Sequence, residues 1–349
     1  MEDLKFLVFA DFHYKKKMYA SSVKNLKTIF KRANDENVKF CVHLGDFCND
    51  YRGSTEIIST LLDNNFGFDV FGVYGNHELE SADNSMEYVT PRLSNRIDSL
   101  TYGTDSGKIE DGKIGYYYFD KGAFRLIFLD TNYSLTPLGE YEHNRTKSWG
   151  KAKENTLPDS LGDKQILWLD GVLSDAAEKE KKCIVFSHAS FSGMRRSSSD
   201  AEKVKEIFRK VNAKQKGTVF LAINGHYHTN HTEMIEDVCY FDCHTTINGW
   251  WQSEKFYPYL ETDVENPKYT FEYVDYDSLG NPVGSRQMPY SELSMGAQTL
   301  FFESPLSAVV TVSDDGKIKI DGSETNFAYG IKKDIPECNY PKINDFVKQ

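Results

Sequence analysis

Five short apolar segments constrain the fold of this chain more than any other feature: residues 6–10, 38–44, 68–74, 183–186 and 218–223. Each has the length and bulk of a strand buried on both faces. Helical periodicity separates several of them. Val23, Leu26, Ile29, Phe30 and Ala33 recur at helical spacing between the first two, and Ile57, Ile58, Leu61 and Leu62 do so between the second and third. Ser199 and Glu202 make a capping-box pattern ahead of Val204, Ile207, Phe208 and Val211. Strand, helix and strand in alternation predict an α/β sandwich.

The middle of the chain departs from this rhythm. Residues 116–119, the turn Asp120-Lys121-Gly122 and residues 124–129 read as a hairpin, so the sheet is mixed. Residues 135–162 are polar with no clear period, which predicts a long surface loop near a site or a disordered insert. From Trp250 onward the signals are β only, including residues 269–274 and a hairpin of residues 309–312, Asp314-Asp315-Gly316 and residues 318–320. This pattern divides the chain into a core at 1–249 and a β-rich C-terminal extension at 250–349 packed on it.

Composition excludes some functions. With 41 basic and 52 acidic residues, the formal charge of −11 argues against a broad surface for nucleic-acid backbones or anionic lipid. No apolar run approaches the roughly 20 residues that span a bilayer. The expectation is a cytoplasmic protein with a small-molecule substrate and neither a membrane nor a nucleic-acid partner. The six cysteines are too sparse for a disulfide scaffold and fall in apolar runs, so buried thiols are expected, with a Cys239–Cys243 pair as the alternative.

The chemistry collects behind the strands. After the first comes Asp11-Phe12-His13, and after the second Gly45-Asp46-Phe47. The third is followed by Gly75-Asn76-His77-Glu78, the fourth by Ser187-His188 and the fifth by Gly225-His226-Tyr227-His228. In an open α/β sheet the carboxyl ends of parallel strands share one edge, and ligands bind in the crevice outside it. Imidazole nitrogen with carboxylate or amide oxygen suits manganese, iron or zinc, whereas an all-oxygen shell would suit calcium or magnesium. Asp11, His13, Asp46, Asn76, His188, His226 and His228 exceed what one ion needs; a bridging Asp46 would give each of two ions four protein ligands. The glycines at 45, 75 and 225 suit a backbone that turns tightly off a strand.

These blocks, in this order, resemble those of the calcineurin-like metallophosphoesterase superfamily, over residues 6 to about 249. The resemblance implies a four-layer α/β/β/α fold with two mixed sheets. It also implies that Asp11, His13, Asp46 and His228 hold one metal while Asp46, Asn76, His188 and His226 hold the other. His77 matches the position that reaches the scissile group without ligating, and so is the candidate catalytic residue. Phe47, Cys48 and Asn49 after the Gly-Asp pair, together with His13, depart from the purple acid phosphatase pattern. Asn49-Asp50-Tyr51-Arg52-Gly53 departs from that of protein Ser/Thr phosphatases.

The expected activity is hydrolysis of a phosphomonoester or phosphodiester, with nucleotides among the candidates, by in-line attack of a hydroxide held by two divalent ions. A nuclease of the same superfamily and a non-catalytic scaffold are the alternatives. Arg195 and Arg196 are candidates for holding a substrate phosphate, against the plainer reading of an exposed basic turn. Asn132 and Tyr133 could border the pocket, and Trp250-Trp251 could pack on the C-terminal part or stack a base. For His43, His143, His231 and His244 the expected role is structural, with His143 and His231 solvated and His43 a candidate for orienting a ligand.

Overall fold

Strands with alternating faces build two sheets here, because each has a second layer to cover both faces. The computed structural model describes residues 3–13, 19–47, 69–77, 100–103, 115–143, 157–193, 197–250, 270–276, 282–289, 299–327 and 340–349. Numbered along the chain, the first sheet holds β1 (Leu4–Phe9), β2 (Phe40–His43), β3 (Asp69–Gly72), β18 (Ala308–Val312), β19 (Ile318–Asp321) and β20 (Phe346–Lys348). Their order is β20-β19-β18-β1-β2-β3. The second holds β4 (Thr101–Tyr102), β5 (Tyr117–Lys121), β6 (Phe124–Phe128), β10 (Lys182–Ser187), β11 (Val219–Asn224), β12 (His231–Ile235) and β13 (Val238–Asp242), in the order β12-β13-β11-β10-β6-β5-β4. Both are mixed: β1, β2 and β3 run parallel while β18 pairs antiparallel with β1, and β6, β10, β11 and β13 run parallel while β5 and β12 run against them.

Side-chain alternation along β1 sorts the layers. Phe6 and Val8 face the other sheet, in one core with Val42, Phe71, Val310, Phe128, Ile184, Phe186, Leu221 and Phe241. Leu7 and Phe9 point the other way and meet Leu26, Ile29, Phe30 and Ala33 of α1 (Tyr19–Asp35). On the far side Ile127, Val185 and Ala222 meet α2 (Asp163–Glu178) and α3 (Ala201–Lys214) through Leu169, Leu173, Val204, Phe208 and Val211. The result is the four-layer α/β/β/α sandwich. Rings tie the two sheets together: Phe6 meets Phe186 edge-on at 5.7 Å, and Phe71 packs on Phe128 at 5.7 Å. Such pairs contribute about 0.5–1.5 kcal/mol beyond the area they bury.

Several expectations are revised. The C-terminal hairpin forms as β18 and β19, with Val310 opposite Ile320, and β18 lies beside β1 inside the first sheet with Phe6 opposite Val310. Residues 135–162 are not simply loop. They contribute to a small antiparallel sheet, β8-β7-β9, from β7 (Tyr133–Leu135), β8 (Tyr141–His143) and β9 (Leu157–Ser160), while 144–156 lie outside the described residues. Two strand pairs complete the described structure: β14 (Asn248–Trp250) with β17 (Thr299–Phe301), and β15 (Thr270–Tyr276) with β16 (Pro282–Pro289).

The capping box does not form, since α3 starts after Asp200 with no side-chain cap. The Asp200 carboxylate instead accepts the Leu161 N–H at 3.0 Å and the Tyr141 hydroxyl at 3.2 Å, because burial against the small sheet offers it other donors. Cys239 and Cys243 are both free and buried. The helical pattern around Ile57 to Leu62 and the side chains of Trp250 and Trp251 lie outside the described residues. Among the described residues no helix is long and apolar enough to cross a membrane.

Candidate metal centre

Parallel registry fixes where the polar tails emerge. Phe9, His43 and Gly72 stand side by side at the ends of β1, β2 and β3, and Ser187 stands beside Asn224 at the ends of β10 and β11. Asp11, Asp46, Asn76, His188 and His226 follow within a few residues, so both sheets deliver them to one edge. Backbone bonds lock the crossings: the Asp11 N–H donates to the Gly45 carbonyl at 3.1 Å, that of His13 to Asp46 at 2.9 Å, and that of Gly225 to His188 at 3.1 Å.

Asp11, His13, Asp46, His226 and His228 all have positive φ, between 48° and 69°. Left-handed backbone is uncommon outside glycine and costs on the order of 1–3 kcal/mol per residue, so it persists where surrounding structure fixes it and clusters at functional sites. The glycines prove to serve close approach. A Cβ on Gly75 would sit 2.0 Å from Asp46 Oδ1, one on Gly45 2.3 Å from His188 Nδ1, and one on Gly225 2.7 Å from Asp11 Oδ2.

The side chains fall into two sets that share an edge. In the first, His228 Nε2 lies 3.2 Å from Asp11 Oδ1 and 3.0 Å from His13 Nε2. In the second, His188 Nε2 lies 3.2 Å from Asp46 Oδ2 and 3.0 Å from His226 Nδ1. Asp46 Oδ2 is also 3.9 Å from His13 Nε2 and 3.8 Å from His77 Nε2, so this one oxygen faces both sets. Asp46 Oδ1 accepts the His77 backbone N–H at 2.8 Å, which fixes the carboxylate plane. The His226 N–H donates to Asp11 Oδ2 at 2.9 Å, and His188 Nδ1 donates to the Leu44 carbonyl at 2.7 Å. That last bond leaves Nε2 of His188 turned inward.

The electrostatics favour positive charge at the centre. Burial works to raise the Asp11 carboxyl, but the charge and hydrogen bond of His228 outweigh it and hold the group down at about 2. Burial likewise opposes ionisation of Asp46, whose carboxyl is nonetheless held well below the carboxylate range by His188 and His77. Burial would lower His188, yet Asp46 raises it to about 10. His13 is pushed well below its ordinary value by burial and by His77 and His228, leaving a neutral ring.

The donor set fits divalent ions. Ligand atoms of Asp11, His13 and His228 lie within 4.8 Å of one another, as do those of Asp46, His188 and His226, and those of His13, Asp46 and His77. Asn76 Oδ1 is buried with no hydrogen-bond partner, a costly state for an amide oxygen unless a cation or water meets it.

Around this cluster the structure also corrects the sequence reading. His143, expected to be solvated, bonds Asp130 Oδ2 through Nε2 at 2.8 Å. His231, expected likewise, is part-buried and bonds Asp242 at 2.9 Å. His43 is buried, accepts the Gly45 N–H at 3.2 Å through Nδ1, and packs edge-on to Phe9 and Phe47, so it braces the turn that carries Asp46. His244 is buried beside Phe302. Asn132 donates to the Tyr74 carbonyl at 3.3 Å and to Asp130 at 2.9 Å, bracing the turn before Asn76, while Tyr133 packs edge-on to His143. Arg195 and Arg196 lie outside the described residues. One residue escaped the sequence reading: Asp159 of β9, whose carboxylate Oδ2 stands 3.6 Å from His226 Nε2. No periodicity or motif marks it.

A manganese-dependent ADP-ribose/CDP-alcohol diphosphatase of Danio rerio is 27% identical, the match covering 50% of this chain and 62% of that protein. Its namesake from Xenopus laevis is 25% identical over 49% of this chain and 57% of that protein. The match thus spans about three fifths of the length of these relatives. A dimetal phosphatase structure from Danio rerio superposes with a TM-score of 0.57 at 17% identity, covering 99% of this chain and 98% of that one, a likeness of fold. The profile of calcineurin-like phosphoesterases matches residues 4–230, a stretch that contains every block from Asp11 to His228. With the four-layer fold and the convergent cluster alongside that match, the chain belongs to the calcineurin-like phosphoesterase family.

Proposed function

We propose that this protein is a manganese-dependent phosphohydrolase of nucleotide-type small molecules, with diphosphates such as ADP-ribose or a CDP-alcohol as its substrate class. The observation that carries the metal dependence is the meeting of two donor groups, Asp11, His13 and His228 with Asp46, His188 and His226, where Asp46 Oδ2 lies 3.2 Å from His188 Nε2 and 3.9 Å from His13 Nε2, together with an Asn76 Oδ1 that is buried and lacks a hydrogen-bond partner. The substrate class comes from the named activity of the two relatives, which the nucleotide expectation from sequence already allowed.

Asp11, His13, Asp46 and His228 would hold one ion, and Asp46, Asn76, His188 and His226 the other. When bound, such ions neutralise phosphoryl charge and acidify a coordinated water so that hydroxide is available near neutral pH. The remaining work falls to the chain. The Leu44 carbonyl holds the His188 tautomer that turns Nε2 inward, and the His77 N–H holds Asp46 so that Oδ2 faces both sets. The His77 ring, with 17% of its side chain exposed, is more open to solvent than His13, His188, His226 or His228. This exposure supports a role in which the ring would bind a phosphoryl oxygen or give a proton to the leaving oxygen.

The test is turnover by protein loaded separately with manganese, iron and zinc, on ADP-ribose, a CDP-alcohol, nucleoside mono- and cyclic phosphates, and single- and double-stranded DNA. Manganese-dependent cleavage of the diphosphates, abolished by chelation, is expected. Cleavage of DNA alone would make the protein a nuclease, failure on every substrate would make it a scaffold, and full activity after chelation would refute the metal centre.

A further inference from the structure

We infer that Asp159 is a positioning residue that holds His226 in the tautomer whose Nδ1 serves the second metal set, an inference that rests on the metal centre proposed above. A neutral imidazole carries one proton, and only the other nitrogen has a lone pair to give a cation. His226 Nδ1 faces the cluster, 3.0 Å from His188 Nε2, which is itself 3.2 Å from Asp46 Oδ2. Nδ1 can ligate only if the proton sits on Nε2. That nitrogen meets the carboxylate of Asp159, with Oδ2 at 3.6 Å. The distance is longer than a hydrogen bond, so at this spacing the carboxylate acts through its charge, which favours the proton on the nearer nitrogen.

The backbone gives a second, independent reason. Asp159 has a φ of 59° inside a strand, where residues normally alternate between faces with negative φ. Its neighbours are tied down on the far side. Buried Ser160 bonds Ser199 at 2.5 Å and sits opposite Tyr133, and the Leu161 N–H donates to Asp200 at 3.0 Å. Anchored surroundings thus hold one strained residue with its carboxylate toward His226. His188 shows the same device in another form, with the Leu44 carbonyl in place of the carboxylate. Partners of this kind are typically worth 10–100-fold in metal affinity. The second metal set therefore depends on the small β7–β9 sheet as well as on the two large ones.

Full-length protein stripped by chelation and titrated with manganese chloride, read by calorimetry and by the electron paramagnetic resonance of free manganese, tests this. In Asp159→Ala the affinity of one of two manganese sites should fall about 10–100-fold, with the other within about twofold of wild type. Asp159→Asn keeps the shape without the charge and should weaken the same site; it carries the test alone if the alanine variant's thermal transition shows that it fails to fold. Two manganese sites of wild-type affinity in a folded variant would overturn the inference. So would a change confined to substrate KM at saturating manganese, which would make Asp159 a substrate contact. Wild-type protein that binds fewer than two ions would instead sink the metal-centre reading itself, and that result needs no variant.

Discussion

Asp11, His13 and His228 are closed from solvent and all sit on strained backbone, whereas in the set of Asp46, His188 and His226 the strain spares His188 and the edge at His226 is somewhat more exposed. In the first set the side chains of Asp11, His13 and His228 are at most 8% exposed, and all three residues have positive φ. In the second, His226 has 12% of its side chain exposed, neighbouring His77 17% and Asp159 22%. Its orientation draws on the Leu44 carbonyl, the His77 N–H and Asp159. The difference is one of degree: every ligand of the first set sits on left-handed backbone, while in the second His188 does not and is oriented instead by the Leu44 carbonyl. On the proposed function, the more exposed edge at His77 and His226 is the side from which a substrate would enter.

The largest effect should come from the oxygen common to both halves. Asp46→Asn should remove both ions and bring turnover to the level of chelated protein, read by metal analysis and diphosphate hydrolysis; retention of two ions would erase the distinction between shared and separate ligands. Next, His77→Gln should lower kcat by about 10²–10⁴-fold with metal content unchanged, as expected for a general acid or charge-stabilising imidazole on the open side. A fall in bound metal instead would make His77 a ligand, consistent with its place near His13 and Asp46.

The glycines separate the halves at smaller cost. Gly225→Ala drives a Cβ to 2.7 Å from Asp11 Oδ2 and should weaken the closed set; Gly75→Ala drives one to 2.0 Å from Asp46 Oδ1 and should disturb both. Each should cost about 1–3 kcal/mol of stability, with Gly75→Ala the worse in thermal melts. Equal losses at the two positions would deny the asymmetry.

The smallest effect is in pH. In metal-free protein His188 is raised from 6.5 to about 10, so its contribution to stability is full below pH 6.5 and lost as pH rises through about 10. His13 moves oppositely: its folded value lies well below 6.5, so its contribution is present above pH 6.5 and is lost as pH falls below that value. Melting temperatures of metal-free His188→Gln and His13→Gln across this range should therefore diverge from wild type at opposite ends. Parallel profiles would contradict the electrostatic contrast.

The sequence shows the first-order architecture because strand bulk, helical spacing and residue type are local properties. The tails after β1, β2, β3, β10 and β11 could be read because each follows its strand directly. Pairing across long separations could not. The hairpin of β18 and β19 was visible as a hairpin, yet its place beside β1 depends on contacts between residues 4–8 and 308–312. Asp159 was invisible for a like reason: β9 pairs with Tyr133 and Leu135, and neither strand shows a period of its own. The glycines read correctly as turn residues, but their need to lie against Asp46, His188 and Asp11 appears only when the strands are assembled. His143 and His231 look like loop histidines until Asp130 and Asp242 are brought to them.

Anomalous X-ray scattering at the manganese edge, from crystals grown with the ion, tests the central claim most directly. Two peaks about 3.5–4 Å apart should flank Asp46 Oδ2, one against Asp11, His13 and His228 and one against Asn76, His188 and His226. A single peak, or density that avoids Asp46, would contradict it.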